Sequence, residues 1–324
     1  MQTRKLGKTG LEVSILGFGA APLGDEYGTI DAAEGERAVH CAVDEGINFF
    51  DTAPYYGRTV SETRLGQALR GRRHRVILAT KCARYDTDDF DFSARRVEQS
   101  IDDSLRRLRT DYVDLYQIHD IEFGDLRQVI DEAIPAARKV QQSGKARYVG
   151  ITGLQLRPLR EAAAAEPVDT ILSYARYNLM TRDLDEVLTP FAREQGIGLI
   201  NASPLHLRIL TPSGAPEWHP APDEVKQAGR RVVEFCRARG KPAPQVGLRF
   251  CLDHPYVCST LVGLASVEQV MQNLEILEEE SDPGFLREIE DIIGDALNKT
   301  WASGRPENQD GGAGREGAGA GEAE

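Results

Sequence analysis

Lysine is scarce in this chain of 324 residues: eight of its 39 basic residues are Lys. Arginine is therefore the default cation, and a Lys at a strand end is a less arbitrary choice. Basic residues as a whole fall short of the 51 acidic ones, leaving a net charge of −12. Neither nucleic acid nor an anionic membrane attracts such a surface, which argues against both as partners. Cysteine is sparse, odd in number and scattered (Cys41, Cys82, Cys236, Cys251, Cys258), with no C-x-x-C. That argues against a disulfide framework and fits reduced, buried thiols. No apolar run approaches the ~20 residues of a membrane span. Arg4, Lys5 and Lys8 are followed by Gly and Thr rather than by an apolar region, so no signal sequence is expected and a cytoplasmic location is. The glycine-rich fingerprint G-x-G-x-x-G is also missing after the first strand. Gly17-Phe18-Gly19-Ala20 is a partial match that opens no helix, which speaks against a doubly wound open sheet.

What is present is a regular βα alternation carrying 41% hydrophobic residues. Thr3–Ser14 reads as a hairpin turning at Lys8-Thr9-Gly10. Strands are expected at Ile15–Gly19, Asn48–Asp51, Val76–Lys81, Tyr112–His119, Ala146–Ile151, Thr170–Tyr174, Gly198–Ser203 and Ser259–Gly263. Helical patterns between them include Ala32–Glu45, Ser93–Arg109, Leu126–Ser143 and Asp223–Arg239. In the second, Val97, Ile101, Leu105 and Leu108 form a single apolar stripe. Gly46, Gly71, Gly144, Gly196 and Gly240 stand just past helix ends. Eight such repeats predict an α/β (β/α)8 TIM barrel over residues 1–302. Seven of the 31 glycines crowd into Gly304–Glu324. A tail of that composition cannot offset its ordering entropy, and 303–324 is expected to be disordered.

Three strands end in polar residues: Asp51 after Ile47–Phe50, Lys81 after Val76–Ala79, and His119 after Tyr112–Ile118. Tyr56 follows Asp51 by one short loop. Strand ends of a parallel barrel open onto one face, so an acid, an ammonium, a phenol and an imidazole converge there. The set has no metal-ligand or nucleophile–base spacing, and no metal is expected. It suits proton-coupled carbonyl chemistry. A phenol's reference pKa of about 10 is too high for exchange near neutrality, and an adjacent ammonium favours the phenolate. Each residue alone has an ordinary explanation: a turn cap for Asp51, a loop aromatic for Tyr56, a satisfied buried histidine for His119. Jointly they favour chemistry.

With these residues the chain resembles the aldo-keto reductase superfamily, whose catalytic tetrad falls on Asp51, Tyr56, Lys81 and His119. It resembles most the L-galactose dehydrogenase-like branch of aldose dehydrogenases. The stretches that carry this likeness include Phe49–Gly57, Lys81–Tyr85, His119–Gly124, Gly150–Gly153, Ala202–Leu205, Pro216–Pro220 and Thr300-Trp301. The resemblance implies oxidation of a free aldose at C1 by a nicotinamide dinucleotide. Tyr56 would be the proton-transfer group, Lys81 and Asp51 its support, and His119 the donor to the substrate oxygen. It also implies cofactor contacts from Thr152, Tyr174, Ser203, Pro204, Leu205, Gly263, Ala265, Ser266, Gln269, Gln272 and Asn273. The sugar would meet Tyr85, Asp120, Trp218 and His219, the last two in a lid-like stretch, Thr211–Pro222. The protein would act as a monomer or homodimer.

The chain departs from the superfamily in three places. Thr152-Gly153 replaces a Ser-Asn pair that holds the nicotinamide amide, Tyr174 replaces a commoner glutamine, and His206-Leu207-Arg208 replaces a glycine-bearing segment. Arg208 is either a pyrophosphate contact or a solvated side chain. Ser266 reads both as an N-cap with Gln269 as its partner and as the start of a helix with N–H groups for an anion. NAD is expected over NADP, because Phe250 to Leu286 contains no Lys or Arg and Gln269 stands where NADP-using relatives are basic. The alternatives are an NADPH-dependent aldehyde reductase and a non-catalytic dinucleotide-binding regulatory subunit.

Overall fold

The computed structural model describes residues 1–310. Strands β1 (Thr3–Lys5) and β2 (Glu12–Ser14) pair antiparallel as the expected hairpin. Eight parallel strands follow: β3 (Leu16–Gly19), β4 (Phe49–Asp51), β5 (Ile77–Cys82), β6 (Val113–Ile118), β7 (Ala146–Gly153), β8 (Thr170–Tyr174), β9 (Gly198–Ala202) and β10 (Ser259–Gly263). They pair in sequence order, and β10 returns to β3 to close the barrel. All eight lie where the alternation of apolar runs placed them.

The hairpin plugs the end of the barrel away from the strand termini. Leu6, Leu11 and Val13 pack with Phe49, Ala79, Leu115, Leu172 and Ile200, the inward residues of the strands. The Arg4 guanidinium donates to the carbonyls of Leu252, His254 and Val257, and the Tyr148 hydroxyl donates to Thr9 O. The outward residues, among them Phe50, Leu78, Cys82 and Ile118, join the helices in the larger core. Cys82 therefore faces away from the barrel interior, and burial pushes its thiol up to about 12. It packs; it is not poised for redox chemistry.

The helices obey their local signals. Ser93 caps Ala94–Leu108 by accepting from Arg96 N, and Val97, Ile101 and Leu108 are buried on its inner stripe. Gly46, Gly71, Gly144, Gly196 and Gly240 all adopt the left-handed conformation. The helix expected over Leu126–Ser143 contains a π-turn at Val129–Ala133, where Ile134 N donates to Val129 O. Pro135 is the cause, since it supplies no N–H and its ring displaces the carbonyl one turn back.

Residues 303–310, the first part of the tail expected to be disordered, are ordered. Residues 303–310 are docked on the strand-end face and include a 3-10 turn, Pro306–Asn308. Arg305 N and Asn308 Nδ2 donate to Glu122 O, at 2.9 and 2.8 Å. Asp310 pairs with Arg176 at 2.7 Å and accepts from Arg157 N. Composition understated this segment because its ordering is offset by polar contacts with loops remote in sequence, not by apolar burial. The rest of the expectation, 311–324, lies outside the described residues.

Gly304 has φ +78°, and a Cβ there would stand 2.2 Å from Glu122 O. Gly304→Ala should detach this segment, at a cost of at least ~1 kcal/mol from the left-handed conformation alone. Hydrogen exchange at 303–310 checks this: accelerated exchange is expected, and unchanged protection would refute the contact.

Candidate active site

The parallel barrel brings three strand ends to one face, with Asp51 aligned with Ala79, two residues before Lys81. Asp51 ends β4, Lys81 is the penultimate residue of β5, and Lys81 is aligned with Gln117 of β6. His119 comes two residues after Gln117, on the same inward face. Tyr56 arrives by a tight turn in which Tyr56 N donates to Ala53 O. That turn is pressed against Gly24: a Cβ on Gly57 would stand 1.9 Å from Gly24 O, so the loop carrying Tyr56 closes with glycine on both sides.

The four side chains touch. Lys81 Nζ donates to Asp51 Oδ1, to Thr52 O at 2.8 Å and to Tyr56 Oη at 3.2 Å. Gln117 Nε2 donates to the second oxygen of Asp51 at 2.8 Å. Lys81 is 1% exposed and Asp51 3%. Burial pushes the Asp51 carboxyl upward, and contact with Lys81 and Gln117 pulls it back. The His119 ring stands edge-on to Tyr56, with centroids 5.7 Å apart. Its Nδ1 is sealed without a partner, whereas Nε2 is not sealed and lies 3.7 Å from Asp120 Oδ2. A neutral ring with its proton on Nε2 is the tautomer that offers a donor to the cavity. Burial depresses this histidine to about 3, against the pull of Asp120.

The phenol behaves otherwise than expected. Burial raises Tyr56 well above its ordinary value, Asp51 adds to the rise, and Arg84 is the cation that opposes it. The charge of Lys81 is engaged by Asp51 in direct contact, which leaves little of it for the phenol. Tyr56 is thus held protonated, ready to donate to a carbonyl oxygen.

These groups line a cavity of about 750 Å³, within the range of small-molecule sites. Asp51, Tyr56, Lys81 and His119 all face it, as do Thr152, Tyr174, Ser203, Gly263, Asp120 and Trp218. Tyr85 does not. Ala83, at φ +73°, turns the chain so that Arg84 enters the cavity instead. Tyr85 packs against Arg96 at 4.0 Å and its hydroxyl accepts from Ala83 N. His219 is buried behind Trp218, with its ring stacked on it at 6.0 Å. Its Nδ1 accepts from Ala221 N and its Nε2 meets His206 O, so it braces the lid segment and does not line the cavity.

The other expected cofactor residues lie outside the cavity lining. Leu205 packs against a second apolar cluster, and Pro204 precedes it in the same turn. Ser266 caps the helix Val267–Glu275 through Gln269 N, and Gln269 Oε1 returns to Ala265 N at 2.8 Å. Asn273 Nδ2 donates to Gln269 O, and Gln272 Nε2 to Glu268 Oε1. The N–H groups expected to be free for an anion are largely engaged, because Glu34 Oε1 accepts from Val267 N at 2.8 Å. Arg208 is exposed and bonded to Ser213 Oγ at 3.0 Å. Gly153 is explained by Glu122, whose Oε2 would stand 2.4 Å from a Cβ there.

Several cavity residues escaped the sequence reading: Glu26, Tyr27, Tyr55, Arg84 and Trp301. Gln117 was legible as the inward neighbour of His119 two residues earlier. Tyr55, next to Tyr56 in the chain, is a wall of the site, 5.9 Å from the His119 ring. Trp301 packs edge-on to His206 and His219, and nothing local to its sequence announces that position.

The model of the Aldo/keto reductase family matches residues 15–293. The L-galactose dehydrogenase of Arabidopsis thaliana is 44% identical over 318 residues, covering 95% of this chain and 99% of that protein. A D-threo-aldose 1-dehydrogenase of a Pseudomonas species is 30% identical over 309 residues, covering 86% and 94%. Among solved structures, an aldo-keto reductase from Bacillus halodurans in its holo form superposes with a TM-score of 0.76. It is 30% identical and covers 92% of this chain and 97% of that one.

Burial holds His119 far below its ordinary value, at about 3. The imidazole is therefore uncharged around neutrality, and kcat/KM should show no inflection at the ordinary histidine value of about 6.5. A pH–rate profile of the native protein beside His119→Gln checks this. An acid limb near 6.5 that disappears in the variant would contradict the neutral-donor reading.

Proposed function

This chain belongs to the aldo/keto reductase family, and on that premise we propose that it oxidises a free aldose at C1 to the aldonolactone with NAD. The observation that carries the reading is the contact set Tyr56–Lys81–Asp51 with His119 beside it, in a cavity whose remaining polar groups are suited to hydroxyls. L-galactose, L-fucose or a stereochemical relative is the substrate, in keeping with the activities of the two aldose dehydrogenases above.

Enzymes of this family use a nicotinamide dinucleotide, which when bound accepts the hydride from C1. The residues present fit such a group. Thr152 and Ser203 offer hydroxyls and Tyr174 a flat ring, on the half of the cavity formed by the ends of β7, β8 and β9. The tetrad occupies the ends of β4, β5 and β6. His119 Nε2–H holds the C1 oxygen, and Tyr56 Oη, once it has lost its own proton, takes the C1 hydroxyl proton as the C–H bond breaks. Lys81, fixed by Asp51 and Thr52 O and 3.2 Å from Tyr56 Oη, stabilises the phenolate that this transfer consumes. Because C1 of a closed aldose already bears the ring oxygen, loss of that proton and hydride yields the lactone with no added water.

A second reading, carbonyl reduction with Tyr56 as acid, is favoured by the raised phenol. Initial rates over a panel of free aldoses and of plain aldehydes, in both directions, separate the two. Tyr56→Phe should lower kcat by ~10²–10⁴-fold and leave dinucleotide affinity nearly unchanged. A variant retaining most of its kcat would remove Tyr56 from the chemistry.

The preference for NAD rests on acids. Glu34 sits on the first N–H of the helix Val267–Glu275, Glu268 follows, and Arg37 is held by Glu34 at 2.5 Å. A 2′-phosphate brought there meets like charge. Dissociation constants from protein fluorescence should favour NAD by about tenfold or more. Glu34→Gln should narrow the gap, and equal affinities in the unmodified protein would overturn the preference.

A further inference from the structure

Arg84 and Asp120 form a second buried ion pair in the cavity, apart from Lys81 and Asp51. Arg84 Nη1 donates to Asp120 Oδ2 at 2.5 Å, and the two side chains are 15% and 4% exposed. The guanidinium is clamped between aromatic rings, 3.9 Å above Tyr55 and 5.2 and 5.3 Å from Phe90 and Phe123. Asp120 is held from the other side, its N–H donating to Thr152 Oγ1 at 3.1 Å and its backbone in the left-handed conformation at φ 51°. The clamp leaves capacity unused. Among the described residues Arg84 Nη2 and Asp120 Oδ1 have no protein partner, and neither is sealed from the cavity that both side chains line.

A buried ion pair contributes little to stability compared with apolar packing of the same volume. A rigid pair with a free donor beside a free acceptor is, however, what two neighbouring hydroxyls require. One hydroxyl donates to the carboxylate and the next accepts from the planar guanidinium. The placement relative to the chemistry is close. Asp120 Oδ2 is 3.7 Å from His119 Nε2, and the Tyr55 ring bridges Arg84 and His119.

Resting on the aldose reading above, we propose that Arg84 with Asp120 is the specificity element for the sugar. Asp120 accepts from the hydroxyl on C2, and Arg84 donates to the hydroxyl on C3. Arg84 thereby selects polyhydroxylated substrates over plain aldehydes and fixes which face of C1 meets Tyr56.

The test compares Arg84→Met and Arg84→Lys with the native protein on the best aldose and on an aldehyde without hydroxyls. Dinucleotide affinity and thermal midpoint are measured in parallel. Arg84→Met should lower kcat/KM for the aldose by ~10–100-fold, mostly through KM. The loss on the plain aldehyde should be at least ten times smaller, and Lys, a point charge without the fork, should restore only part of the difference. Equal losses on both substrates would overturn the proposal, because they would mean that Arg84 acts through Tyr56 or the fold. Should Arg84→Met not fold, the 2-deoxy and 3-deoxy aldoses on the native protein decide. Undiminished kcat/KM with both overturns the pairing, and a loss of ~10-fold or more with each supports it. A native protein that oxidises no free aldose refutes the aldose reading and this proposal with it. A native protein that does so, with Arg84→Met indistinguishable from it, refutes only the role of Arg84.

Discussion

A lysine ammonium and an aspartate carboxylate, both removed from water, are the constraint around which this molecule is organised. Placing either charge alone at the mouth of the barrel costs several kcal/mol, and removing one partner costs ~3–5 kcal/mol. The structure offsets that cost with hydrogen bonds to both partners. Thr52 O takes a second Lys81 proton, Gln117 takes the free Asp51 oxygen, and the parallel register sets Lys81 beside Gln117. Neither Gln117 nor Thr52 has a role in the proposed proton transfer, yet both are needed for the ion pair to exist where it does.

The same low dielectric explains the rest of the site. It holds His119 neutral, raises the phenol of Tyr56, and raises Glu122 to about 8 beside Asp120. Glu122 in turn anchors the loop after β6 to two remote segments. Its carboxyl accepts from Leu154 N and Ser303 Oγ, and its carbonyl accepts from Arg305 N and Asn308. Glu122 thus ties the loop that carries His119 and Asp120 to the docked C-terminal segment.

Loops and strands differ in how far they could be read from the chain. The eight strands were legible because short apolar runs between helix caps and left-handed glycines leave few alternatives. Asp51, Lys81 and His119 were legible because strand ends in a closed parallel barrel share one face. Tyr85 and Arg84 show the limit of alternation. The period of two predicts direction only while the backbone stays extended, and the left-handed Ala83 exchanges the two side chains. His219 was read as a wall of the sugar site and proves to be a brace, because a ring with both nitrogens engaged by nearby backbone has no hydrogen bond left to offer.

The sequence by itself determined the barrel, its hairpin and the three polar groups at the strand ends, since each follows from a local period or a local cap. Only the tertiary structure decided the protonation of Tyr56, the entry of Arg84 and Trp301, and the docking of residues 303–310. Desolvation and contacts between residues remote in the chain have no local signature: they exist once the barrel has closed and not before.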